Sequence, residues 1–210
     1  MHAAALVYVH GLWMTGVESM WLRRRLERER GYGLRVFRYA SVRAPTAHII
    51  AALRDTIAAV EAPRVHLLGH SLGGLMILRC LERYPMAQPG RVVFLGTPAA
   101  GSRAARRMGQ SGLGRRLLGA ASAEELLVEH ARRWDVGREL GIIAGTMPMG
   151  FGRLLLKFGE DNDGTVAVSE TRLAGAAGFL SLPVTHSGML WSATVAREAG
   201  SFLEYGSFGR

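Results

Sequence analysis

The stretch Val65-His66-Leu67-Leu68-Gly69-His70-Ser71-Leu72-Gly73-Gly74-Leu75 constrains the fold of this chain more than any other. An apolar run suited to a buried strand, Val65 to Leu68, meets Gly69-x-Ser71-x-Gly73. The glycines lead into Leu75-Met76-Ile77-Leu78-Arg79-Cys80-Leu81, which reads as a helix. A strand that turns this sharply into a helix holds its central residue in a strained backbone conformation, and side chains two residues to either side would strike the neighbouring strand and helix. Ser71 is thereby lifted to the tip of the turn. The Leu72 amide falls at the helix N-terminus, where an unpaired N–H and the positive end of the helix dipole can hold an oxyanion. The same pattern also suits a tight turn in an unrelated α/β protein.

The flanking sequence repeats the strand and helix alternation. Ala4 to Val9 is a continuous apolar run ending in His10-Gly11, as expected of a strand covered on both faces. Ser19 to Arg30 reads as a helix stopped by Gly31 and Gly33, and Leu34 to Tyr39 as a second strand. Pro45 to Val60 follows as a helix, with Ile49, Leu53, Ile57 and Val60 at helical spacing. After the serine turn come strands at Arg91 to Leu95, Leu140 to Gly145 and Gly178 to Pro183, and a last helix from about Met189 to Tyr205. The expected fold is a three-layer α/β/α sandwich around a mostly parallel sheet of about six strands.

With 210 residues, 49% of them hydrophobic, the chain suits one domain. The connection from about 99 to 138 is unusually long, and such connections are often functional. Ser122-x-x-Glu125 within it is a plausible capping box for a helix placing Leu126, His130 and Trp134 on one face. The one cysteine, Cys80, excludes an internal disulfide and reads as a buried apolar filler. The opening residues lack the basic region and cleavage site of a signal peptide, and no apolar run is long enough to span a bilayer, so a cytoplasmic location is expected, with a place at the membrane periphery as the alternative.

The formal net charge of +9 suggests an acidic partner such as an anionic membrane surface or nucleic acid. Yet Lys157 is the only lysine, and the arginines are scattered in short groups without zinc-finger spacing or an aromatic RNA-binding motif. Nucleic acid is therefore not the expected partner.

Three further stretches fall beyond the carboxyl ends of strands, where parallel sheets gather their ligands. In Val9-His10-Gly11-Leu12-Trp13, Gly11 lets the chain turn close to the serine, and the Leu12 amide can be a second oxyanion donor. His10 reads as a structural hydrogen-bonding residue. In Gly159-Glu160-Asp161-Asn162-Asp163-Gly164-Thr165-Val166 an acid can fix a histidine tautomer; a plain surface turn is the alternative, and the spacing of a calcium loop is not met. The third, Leu182-Pro183-Val184-Thr185-His186, carries a histidine after the last strand. Trp13, Met14, Met149 and Phe151 can flank an apolar substrate, or belong to the core.

With serine turn, acid and histidine in this order, the chain resembles the α/β-hydrolase superfamily, in particular its lipase-like and esterase-like members. The motif residues above carry the resemblance, joined by Leu95-Gly96-Thr97-Pro98 before Gly101-Ser102. The sequence opens at the strand bearing His10-Gly11, so a minimal form is expected. The resemblance implies nucleophile Ser71, base His186, orienting acid Asp163 and oxyanion amides of Leu12 and Leu72. It further implies hydrolysis of a small-molecule or lipid ester without metal or organic cofactor. A thioesterase or acyltransferase would use the same residues, and a non-catalytic lipid- or partner-binding relative is a further alternative. The connection at about 99–138 is expected to act as a lid whose Leu113, Leu117, Leu118, Leu126 and Leu127 can meet a lipid surface and whose arginines can face anionic headgroups; ordinary packing of these leucines on the sheet is the alternative.

Overall fold

The computed structural model describes residues 2–86, 88–127, 132–149 and 158–209. Six strands form one sheet: β1 Ala5–Val9, β2 Gly33–Phe37, β3 Val65–His70, β4 Val92–Leu95, β5 Leu140–Gly145 and β6 Gly178–Leu182. Their order is β2-β1-β3-β4-β5-β6, and every pair is parallel. The sheet is thus wholly rather than mostly parallel. The seven α-helices of the described residues are α1 Met20–Arg30, α2 Thr46–Ala58, α3 Leu72–Arg83, α4 Arg103–Met108, α5 Gly112–Leu126, α6 Val168–Thr171 and α7 Ala193–Tyr205.

Period-2 alternation explains why the strands read as unbroken apolar runs. Leu6 and Tyr8 of β1 join Leu22 and Leu26 of α1 and Phe202 of α7 on one face. Val7 and Val9 join Ile49 and Leu53 of α2 and Leu75 of α3 on the other. Both faces are covered, so neither set of side chains meets water. Cys80 is buried in the second cluster.

The chain passes from β1 outward to β2, then back across to β3 on the other side of β1. At this reversal the two exits lie side by side, with Val9 paired to Gly69. Loops diverge there and leave a crevice, the usual ligand position in such sheets.

Two helix expectations need correction. Ser122-x-x-Glu125 caps nothing. The helix starts earlier, where the Ser111 hydroxyl accepts from the Gly114 amide, and Ser122 is buried inside α5. The Glu125 carboxylate instead accepts from Arg79 Nε and Arg132. Trp134 lies beyond the helix, edge-on to Phe94, and His130 is outside the described residues. The expected final helix is divided: Gly188–Trp191 is a 3₁₀ turn, and α7 begins after Ser192, whose hydroxyl accepts from the Val195 amide. Among the described residues no helix is long and apolar enough to cross a membrane.

Candidate active site

Ser71 sits between β3 and α3 with φ 53° and ψ −125°, and with Trp13 it is one of two non-glycine residues at positive φ among the described residues. This is a backbone region costly to any residue with a Cβ. Its amide donates to the Leu95 carbonyl. The surrounding glycines are required by close packing. A Cβ at Gly69 would lie 2.5 Å from the Gly74 Cα, and one at Gly73 would run into the Val9 carbonyl. These approaches let α3 start directly against β1 and β3, and the Leu72 amide opens it.

Asp163 and His186 come from different loops, after β5 and β6, and are brought together. His186 Nδ1 lies 2.6 Å from Asp163 Oδ2, and the His186 amide donates to the Asp163 carbonyl at 2.9 Å. Asp163 Oδ1 accepts from the amides of Thr165 (2.9 Å) and Val166 (2.7 Å). Asp163 is fully buried, whereas Asp161 is exposed. The turn is held by Asn162, whose Oδ1 accepts from the Gly164 amide.

Ser71 and His186 border one cavity of about 420 Å³. Leu12, Trp13, Met14 and Met149 line it as well; Leu72 does not, its side chain being buried in the core, so only its amide is available to the site. Phe151 lies outside the described residues. The far wall is apolar and comes from α4 and α5: Ala104, Ala105, Met108, Leu118 and Leu126. Ala104, Ala105 and Met108 are not among the binding residues expected from the sequence. The i, i+4 spacing of Ala104 and Met108 on one helix face was the available signal.

The two other histidines here are structural. His10 is buried, which lowers its pKa; its Nδ1 donates to the Gly11 carbonyl at 2.9 Å and its Nε2 accepts from the Tyr39 amide. His70 is wholly buried, and burial, then the nearby His186, push its pKa down to about 3. It is therefore neutral, and Nε2, 3.0 Å from the His186 carbonyl, carries its proton. Among the described residues no group of three or more His, Cys, Asp or Glu could hold a metal ion.

A parallel sheet of this order, with a strained serine at the reversal point, defines an α/β-hydrolase architecture. The chain belongs to the alpha/beta hydrolase family, whose sequence model matches residues 6–198. Its fold is similar to that of a Bacillus licheniformis lipase in its propeptide form (19% identity, TM-score 0.72, 89% of this chain and 47% of that one). It is also similar to a metagenomic carboxyl esterase (21%, TM-score 0.65, 89% and 65%) and to a thioesterase domain with a bound dodecadepsipeptide (16%, TM-score 0.61, 99% and 94%). At these identities the likeness carries the fold. The chain spans between about half and two thirds of the length of the lipase and the carboxyl esterase. A search of curated proteins returned no match.

Proposed function

We propose that the protein is a serine hydrolase of carboxylic esters. Ser71 Oγ attacks the ester carbonyl while His186 Nε2 takes its proton, and the same proton passes to the departing alcohol. The acyl-serine formed is then cleaved by a water that His186 deprotonates, releasing the acid and restoring the serine. Asp163 holds Nδ1 protonated and offsets the charge of the imidazolium. The amides of Leu12 and Leu72 stabilise the oxyanion. The reading is carried by the buried Asp163–His186 pair at 2.6 Å, whose histidine is on the wall of the cavity that also exposes the strained Ser71.

The mostly apolar lining suits a hydrocarbon acyl group, with Trp13, Met14 and Met149 beside it, and the volume is that of a small-molecule site. Within the connection at 99–138, α4 and α5 serve as its wall and cover. The lipase and carboxyl esterase likenesses support an ester substrate; the thioesterase domain shares the fold, and a thioester would meet the same groups. A fluorophosphonate probe tests the nucleophile: it labels Ser71 in the intact protein, and Ser71→Ala loses both labelling and turnover. p-Nitrophenyl esters of graded length, assayed beside acyl thioesters, separate the substrate classes. Labelling elsewhere, or an active alanine variant, removes the reading.

A further inference from the structure

The α4–α5 region presents an outward face that the candidate reaction does not use. In α5, before its kink at Gly119, Leu113, Arg116 and Leu117 are all exposed and their i, i+3, i+4 spacing puts them along one stripe, while Gly114 and Leu118 are buried on the neighbouring face. Leu113 is 71% and Leu117 49% exposed. The stripe continues to the cavity mouth. Trp13, itself 52% exposed, donates its indole N–H to the Leu117 carbonyl at 2.9 Å, and Trp13 lines the cavity.

From α4 to the kink of α5 the charge along the chain has one sign; Glu124, exposed at the far end of α5, accepts from the Thr46 amide. Between Ala99 and Ala123 the chain carries five arginines and no acidic residue. Arg103 is engaged by Glu160 and Glu170. Arg107, Arg115 and Arg116 are exposed, and among the described residues no carboxylate lies within ion-pair distance of them. Arg107 turns to Gln110 and Arg115 to the Gly109 carbonyl, contacts that leave their charge uncompensated. Exposed leucines and a tryptophan interleaved with unneutralised arginines match a surface that offers both acyl chains and anionic headgroups.

We propose that α4, α5 and Trp13 form a docking face for an anionic lipid bilayer, which places the cavity mouth against the membrane. Arg107, Arg115 and Arg116 meet the headgroups. Leu113, Leu117 and Trp13 enter the interface. The partner is chosen by charge: the same leucines against a neutral surface would leave three guanidinium groups without counter-charge. The face binds irrespective of ester turnover, so its test is independent of the hydrolase reading.

The experiment is sedimentation of the full chain with vesicles of phosphatidylcholine alone and of phosphatidylcholine mixed with phosphatidylglycerol. Binding is expected only to the mixed vesicles, and molar salt, which shortens the screening length to about 3 Å, should release it. Each exposed arginine contributes on the order of fivefold in partitioning, so R115Q/R116Q should weaken binding by roughly 30-fold. L113S should weaken it about tenfold through lost apolar burial. Both variants should hydrolyse a short soluble ester as the parent does if the parent turns one over. No binding to mixed vesicles, or binding that ignores R115Q/R116Q, overturns the proposal. Concentration-dependent self-association that L113S abolishes would assign the face to a second copy instead, and would equally overturn it.

Discussion

His186 and Asp163 are joined twice, once through the ring and carboxylate at 2.6 Å and once through the His186 amide and the Asp163 carbonyl at 2.9 Å. The second bond fixes one loop on the other, so the ring contact does not depend on two independently placed side chains. With Oδ1 occupied by the Thr165 and Val166 amides, Oδ2 is left aimed at Nδ1. The carboxylate therefore selects the tautomer that leaves Nε2 free to accept a proton.

Asp163→Asn should lower turnover by about 10²-fold to 10⁴-fold, because the amide can present its N–H to Nδ1 and favour the wrong tautomer. Asp161→Asn should change it less than about threefold, its carboxylate being exposed. Both variants are assayed under identical conditions after circular dichroism shows them folded. A large loss at Asp161 with a small one at Asp163 would reverse the assignment.

Ser71→Gly should lose turnover and gain stability. The φ of 53° and ψ of −125° cost a serine about 1–3 kcal/mol, whereas glycine adopts them freely. The larger entropy of glycine in the unfolded chain returns about 0.4–1 kcal/mol of that gain. A net gain of about 1 kcal/mol raises the melting temperature by about 2–4 °C in a chain of this size. Calorimetry of the two proteins decides it; an unchanged or lowered Tm would mean that the turn stores no strain.

Much of this arrangement is legible in the sequence because it is built from backbone requirements. Gly69, Gly73 and Gly74 announce close approach, and each strand is an unbroken apolar run because helices cover both faces. The order of Ser71, Asp163 and His186 follows from the same alternation of strands and loops. What escapes is set by distant partners. Ser122 and Glu125 have the spacing of a cap, but Arg79 and Arg132, far apart in sequence, make Glu125 the centre of an ion-pair cluster. Nor does the stretch from Arg103 to Leu126 say which leucines face inward: Leu117 and Leu118 are neighbours about 100° apart around α5, and only the way the helix lies over the cavity decides that Leu118 is buried and Leu117 exposed.

Stability should fall as the pH drops from about 6.5 toward 4. Burial, followed by the charges of Arg91, Arg64 and Arg138, lowers the pKa of His66 to about 4, and His70 is lowered to about 3. Above the unfolded value near 6.5 both rings are neutral in either state, so no stability is lost. Below it the unfolded chain takes up protons that the folded chain refuses, at a cost of up to about 1.4 kcal/mol per pH unit for each ring. His66→Asn, which keeps an acceptor for the Arg91 amide, should flatten this decline. Urea unfolding at pH 7 and pH 5 measures it; an identical pH difference in parent and variant would exclude His66 as a source.

His70 ties the serine turn to the histidine loop, its Nε2 donating to the His186 carbonyl at 3.0 Å and its ring 4.8 Å from that of His186. Because burial keeps it neutral, it can stand this close to a residue that becomes cationic during the proposed reaction without opposing that charge. Its contribution is positional: it touches the backbone of the base rather than the substrate. His70→Leu leaves the His186 carbonyl without its donor, and a lost hydrogen bond of about 0.5–1.5 kcal/mol in the aligned state corresponds to roughly a two- to thirteenfold loss. The loss should fall on kcat with KM nearly unchanged, since the cavity wall does not include residue 70. His70→Gln, whose amide nitrogen reaches about as far as Nε2, should recover most of kcat. Steady-state kinetics of the two variants, with thermal melts as control, decide the matter: equal losses in leucine and glutamine variants, or a rise in KM instead, would mean that the ring fills space and does not hold the loop.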